Sequence, residues 1–193
     1  GSKAIDYYYT VTRLTLGRLE GDQFEYIDGV SDERKNLTME LAEMDPGRYY
    51  VIVSVDTAED KRLSDYVLSY YGDHSIEFDR VRYKDGCDVL ERILAEGGKG
   101  KVIANKNKAS FEYECYLCLE EGFVVETYRN TSGKEIWVNK DFSKCDRSKY
   151  LVLREDGQMK FKVKIEPHGQ FTVCAKILDI YMEMDRNALN ELK

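Results

Sequence analysis

Apolar and polar residues alternate with period two along most of the chain, the spacing of strands with one buried face. Residues 7–16, Tyr7-Tyr8-Tyr9-Thr10-Val11-Thr12-Arg13-Leu14-Thr15-Leu16, are aromatic and β-branched and stop at Gly17, which predicts a first strand. Residues 23–27 predict a second, closed by Asp28-Gly29. Residues 36–41 predict a third, with Leu37, Met39 and Leu41 on one face. Asp45-Pro46-Gly47 is a turn, because Pro presets φ and Gly accepts a positive φ. It launches residues 49–55, whose near-continuous apolar run predicts a central strand. Strands at 65–71 and 75–81 follow, split by Gly72-Asp73.

A single stretch changes period. Residues 87–96 place Val89, Leu90, Ile93 and Leu94 on one helical face, and Gly97-Gly98 ends it. Residues 97–108, rich in Gly, Lys and Asn, then read as a linker and domain boundary. Alternation returns at 112–119, 122–128, 134–138, 150–154, Lys160–Ile165 and Gln170–Ile177. Turns at Asn130-Thr131-Ser132-Gly133, Glu155-Asp156-Gly157 and Pro167-His168-Gly169 separate these strands. The expected fold is therefore all-β: two antiparallel β-sandwich domains, residues 3–98 (ending in the helix) and 109–182, joined by that short helix and the Gly/Lys-rich linker. Residues 183–193 form a weakly helical tail.

Composition narrows the class. Of 193 residues, 42% are hydrophobic and 34% charged, enough apolar mass for a core, and no apolar run reaches the ~18–20 residues of a membrane helix. The mean hydropathy is −0.55. The net charge of −7 argues against a dedicated nucleic-acid binder. The charge is uneven: residues 1–100 carry 21 acidic and 13 basic side chains, residues 101–193 carry 15 and 16. Five cysteines without a secretory context imply free thiols in a reducing, cytoplasmic compartment. The opening Gly1-Ser2 reads as the remnant of a cleaved tag on a piece of a longer chain.

Few residues carry obvious chemistry. The two histidines, His74 and His168, both fall in turns, and nothing sets either beside a cysteine as a nucleophile pair requires. Cys115 and Cys118 have the spacing of a zinc or redox pair, but within a strand positions i and i+3 face opposite ways, so buried thiols are expected. The loop around Asp56, Glu59, Asp60 and Asp65 clusters carboxylates as a calcium site would, with Lys61 and Arg62 among them; a solvated charged loop is the alternative. Lys160, Lys162 and Lys164 share one strand face and would suit an anionic membrane surface or a protein partner. The alternative is a lysine-guarded edge strand. No nucleotide fingerprint or phosphate-cradling glycine loop occurs.

The run Met44-Asp45-Pro46-Gly47-Arg48-Tyr49-Tyr50-Val51-Ile52-Val53-Ser54-Val55-Asp56 resembles the β-sandwich that follows the protease core in calpains. Asp65-Tyr66-Val67-Leu68-Ser69-Tyr70-Tyr71-Gly72 and Ser75-Ile76-Glu77-Phe78 continue the likeness. Residues 122–132 and Ile165-Glu166-Pro167-His168-Gly169-Gln170 look like a second such domain, as in calpain-like proteins of protists. The resemblance implies a non-catalytic regulatory module that docks protein partners or neighbouring domains of a longer chain. It also implies, as alternatives, a calcium-modulated phospholipid-binding module or the accessory region of a cysteine protease. The Cys–His–Asn protease core is absent from these residues, so no enzyme activity and no bound cofactor other than calcium is expected of them.

Overall fold

The computed structural model describes residues 12–32, 36–55, 67–97, 100–146 and 150–178. Three strands come first among the described residues: β1 (Thr12–Glu20), β2 (Gln23–Asp32) and β3 (Arg48–Val55). They form an antiparallel sheet in the order β2-β1-β3. The β1–β2 hairpin closes through Gly21-Asp22, where Gly21 takes φ +60° without a Cβ penalty. The register slips between Leu16 and Gly17, a bulge that bends the hairpin. At that bend Gly17 faces the next element so closely that a Cβ would lie 2.6 Å from Ile93 Cδ1.

That element is α1 (Tyr83–Glu96). No side chain caps its start at Arg82, and no basic residue sits in its last turn, so packing rather than capping holds it. Cys87, Leu90 and Leu94 press on Tyr116, Cys118, Phe123, Val125 and Cys174 of the second sheet. Its other contacts reach β2. The helix is thus shared between the two halves and is not an appendage of the first.

The second half holds β4 (Lys101–Lys108), β5 (Phe111–Cys118), β6 (Phe123–Asn130), β7 (Ile136–Asp141), β8 (Tyr150–Val152), β9 (Lys160–Ile165) and β10 (Gln170–Ile177). Five of these strands pair antiparallel in the order β4-β5-β6-β10-β8, and β7 and β9 form a separate ribbon. The ribbon covers the sheet face opposite α1: Val138 and Ile165 join Tyr113, Leu117, Val124, Tyr128 and Ile177 in one core. Because β6 has α1 on one side and the ribbon on the other, Phe123-Val124-Val125 is buried throughout, as central strands are.

The all-β class holds, with one helix among the described residues. Several finer expectations do not. The supposed linker is β4, whose Ile103 and Ala104 lean on the core while its lysines and asparagines protect an exposed sheet edge. Among the described residues β3 pairs with β1 alone, so it is an edge strand and β1 is the centre. Residues 36–41, 67–71 and 75–82 lie outside every sheet. Val67 and Tyr71 are 89% and 92% exposed; alternation marks a possible strand, and without a face to bury it no strand forms.

Candidate functional site

A polar concavity lies at the end of β6 and the start of β10. A cleft of about 260 Å³ is lined by Arg129, Asn130, Thr131, His168, Gly169 and Gln170. Alternation along β6 turns Val125, Thr127 and Arg129 towards the helix side, and Arg129 stands opposite Gln170 in the β6–β10 register. Arg129 Nε donates to Gln170 Oε1 at 3.2 Å, and Gln170 Nε2 donates to Thr172 Oγ1 at 3.2 Å and Asp88 Oδ1 at 3.4 Å. Behind them Glu91 of α1 pairs with the Arg129 guanidinium at 3.6 Å. Burial raises the Glu91 carboxyl above its ordinary pKa, outweighing the opposing pull of Arg129.

The other wall is a tight turn. Gly169 N donates to Glu166 O at 2.9 Å, closing Glu166-Pro167-His168-Gly169, with His168 at φ 59°. Pro at the second position and a left-handed third residue are the type II arrangement, usually with Gly or Asn where His168 stands. Asn130, 2% exposed, anchors that turn by donating through Nδ2 towards Lys134 O, Ile165 O and Glu166 O at 2.7, 3.2 and 3.0 Å. Its backbone N donates to Gly169 O at 2.9 Å. His168, Arg129 and Gln170 thus line one cleft over a backbone that Asn130 braces. Such a set can activate a water and stabilise developing negative charge.

The second polar surface is the outer face of the β7–β9 ribbon. Trp137 stands opposite Lys164, Asn139 opposite Lys162, and Asp141 opposite Lys160. Lys160 Nζ lies 3.1 Å from Asp141, and Lys164 Nζ lies 3.1 Å from Glu135 and 2.8 Å from Glu166. Bonds to Glu166 and then Glu135 raise the Lys164 pKa. Ser143 chiefly, with Lys160, lowers Asp141 to about 2. Lys162 is different: its ammonium sits 4.6 Å from the Trp137 ring centroid. All three lysines therefore do share one face.

Two buried carboxylates complete the polar inventory. Glu121, 1% exposed, accepts from Thr15 Oγ1 at 2.6 Å and Tyr26 OH at 3.2 Å and pairs with Arg13 at 3.6 Å. It ties the first sheet to the β5–β6 turn. Glu126 accepts from Tyr113 OH at 2.8 Å and Tyr128 OH at 3.4 Å and holds Lys140 Nζ at 2.7 Å. Neither Glu121 nor Glu126 lines the cleft.

The carboxylates Asp56, Glu59, Asp60 and Asp65 lie outside the described residues, and among the described residues no group of acidic, His or Cys side chains is arranged to hold a metal. Cys115 and Cys118 are buried and form no disulfide, both in the strand β5. His74 is exposed in a bend. His168 lies in a turn, as its sequence context predicts, and Arg129 and Gln170, which the sequence did not single out, line the same cleft. Their signal was faint: a polar residue at the open end of each of two facing strands. No helix among the described residues is long and apolar enough to cross a membrane.

Comparison with known proteins changes the functional picture. No family model and no solved structure matches the chain. It is similar to a peptidyl-tRNA hydrolase from Helicobacter pylori (strain J99), 27% identical over an alignment of 99 residues that covers 47% of this chain and 49% of the relative. The chain spans about half the length of the curated relative it matches. The calpain resemblance is corrected by that finding. The relative is named for a hydrolase, which turns the expectation of a calpain-type regulatory module without enzyme activity, and of calcium-dependent lipid binding, in another direction. The structure removes part of the resemblance's footing as well, since residues 67–72 and 75–78, which carried it, form no strands.

Proposed function

We propose that the chain hydrolyses an acyl ester carried on a nucleotide, with peptidyl-tRNA as the substrate class, in the cleft of Arg129, His168 and Gln170. The reaction class comes from the relative's name, and the observation that carries the reading is the opening of His168 and Arg129 on one braced cleft. In this reading the His168 imidazole takes a proton from a water, whose oxygen adds to the ester carbonyl. The Arg129 guanidinium, which Gln170 holds through its Oε1, stabilises the resulting oxyanion. Collapse expels the ribose oxygen, which takes the proton back from the imidazolium, leaving a free carboxylic acid and a free hydroxyl. Glu91 orients Arg129 through its ion pair. Within this reading the molecule divides into a three-stranded unit and a sheet-and-ribbon unit that share α1, and the second unit carries the site.

The test is release of the acyl amino acid from an N-blocked aminoacyl-tRNA by the purified chain. His168→Gly suits the left-handed position and keeps the turn while removing the imidazole. It is expected to lower the rate by about 10²–10⁴-fold, the range for loss of a general base, with its unfolding midpoint no lower than the parent's. A parent rate equal to spontaneous hydrolysis, or an undiminished His168→Gly rate, overturns the reading.

A further inference from the structure

The outer face of the β7–β9 ribbon has a composition that the cleft does not explain. Trp137 is the sole tryptophan of the chain, and it is 55% exposed on a strand whose inward side chains, Ile136 and Val138, are packed into the core. Beside it Lys162 contributes its ammonium to the ring face and, among the described residues, is paired to no acid. Lys160 and Lys164 flank it on alternate positions of the same strand, about 6.7 Å apart along the strand from one lysine to the next. That spacing is comparable with the separation of successive phosphates in an extended single strand.

We infer that this face binds a single-stranded stretch of RNA, with a base stacked on Trp137 and the neighbouring phosphates on Lys160, Lys162 and Lys164. Stacking on an exposed ring within a row of cations is how sequence-tolerant single-strand sites work, because every base offers a π face. Lys160 leaves Asp141, and Lys164 leaves Glu135 and Glu166, for phosphates; the surface pairs themselves contribute little, and the carboxylates left beside the strand oppose binding, so Lys162, with no acid paired to it among the described residues, makes the strongest phosphate contact. An anionic membrane fits less well: the other outward residues of β7, Asn139 and Asp141, are polar or acidic, so one indole alone would enter the lipid. The net charge of −7 opposes long-range attraction, and so the face acts at short range. The inference deepens the proposed function and rests on it for the identity of the strand, the polynucleotide part of the substrate.

Trp137 reports on its own occupancy. Its fluorescence is titrated with a single-stranded RNA of about 12 nucleotides, within the span such sites cover, and separately with phosphatidylserine vesicles. The expected result is saturable quenching by RNA that weakens about 20-fold for a fourfold rise in salt, from a slope of about 0.7 per phosphate at three lysines. Lys162→Ala should weaken binding and lower that slope, with the unfolding midpoint unchanged. Trp137→Ala, followed by anisotropy of labelled RNA, should weaken binding at every salt concentration while leaving the slope in place. Unchanged fluorescence with RNA, or a blue shift with vesicles alone, overturns the inference. Hydrolysis without quenching sinks this face and leaves the cleft; quenching without hydrolysis sinks the cleft and leaves this face.

Discussion

Glu126 and Lys140 put a full ion pair inside the second core, 3% and 8% exposed. Burial pushes the Glu126 carboxyl above its ordinary pKa, and the attraction of Lys140 with the two tyrosine hydroxyls opposes this without reversing it. The charge of Glu126, after burial itself, holds Tyr113 and Tyr128 in their neutral forms. A carboxyl raised in the folded state binds its proton more tightly there than in the unfolded chain. Its contribution to stability is therefore present below the ordinary value of 4.5 and is lost as pH rises through the raised value. Removing one partner strands the other: Glu126→Gln is expected to cost about 3–5 kcal/mol in urea unfolding. Glu126→Gln with Lys140→Met should recover most of that loss, because a buried pair is commonly no more stabilising than well-packed apolar groups. A single-variant loss below about 1 kcal/mol, the level of an exposed pair, would show that the pair is wetter than its geometry implies.

Helix α1 shows how an element can be weak in isolation and central in context. It lacks a side-chain cap at its start, yet Ile93 and Leu94 are each 0% exposed and are gripped from two sides. Packing should dominate capping here. Leu94→Ala is expected to lower stability by about 2–5 kcal/mol, whereas Arg82→Ser, which supplies the missing cap, should raise it by about 0.5–2 kcal/mol. Equal and small effects from both in thermal or urea unfolding would contradict the shared-helix architecture. The ribbon illustrates the complementary case. Its inward row, Ile136, Val138 and Lys140 against Ile165, Val163 and Phe161, is mostly apolar, so the outward row is free to be chemical and carries Trp137 and the lysines.

At the scale of the molecule, the two sheets communicate through α1 and through Glu121. The Glu121 carboxylate gathers Arg13, Thr15 and Tyr26 of the first sheet onto the β5–β6 turn, and its charge, after burial itself, keeps the Tyr26 hydroxyl protonated. Glu121→Leu removes the acceptor of the buried Thr15 hydroxyl, at about 1–3 kcal/mol for a buried group left unsatisfied, and with it the contact to Arg13 and Tyr26. Its expected signature is regional: amide exchange in β1–β3 should accelerate before that in β5, β6 and β10. Uniform acceleration across both sheets would mean that the halves unfold as one body whatever happens at this contact. The cleft is lined by residues of β6, β10 and the turns beside them, none of them in β1–β3, so its geometry should survive that loosening.

Strand identity in the second half was readable from residue order, because period-two alternation there meets a face that buries it. Lys160–Ile165 and Gln170–Ile177 begin and end where their patterns do, and the 87–96 periodicity marked the face of α1 that packs. The lysine row on β9 followed from the same alternation. The alternation also held the buried pair in plain form, since Glu126 lies in phase with Val124 and Tyr128, and Lys140 with Ile136 and Val138. Tertiary packing decided the rest. Residues 67–82 alternate as convincingly as β9 and stay outside the sheets, because no apolar face meets them. Residues 101–108 look like a linker and become β4, because β5 offers an open edge to pair with. Arg129, His168 and Gln170 are 41 residues apart at most, and it is the β6–β10 register that sets them around one cleft. Alternation is a local property that a residue carries with it, whereas a site depends on which strands pair, and pairing is settled by contacts between segments distant along the chain.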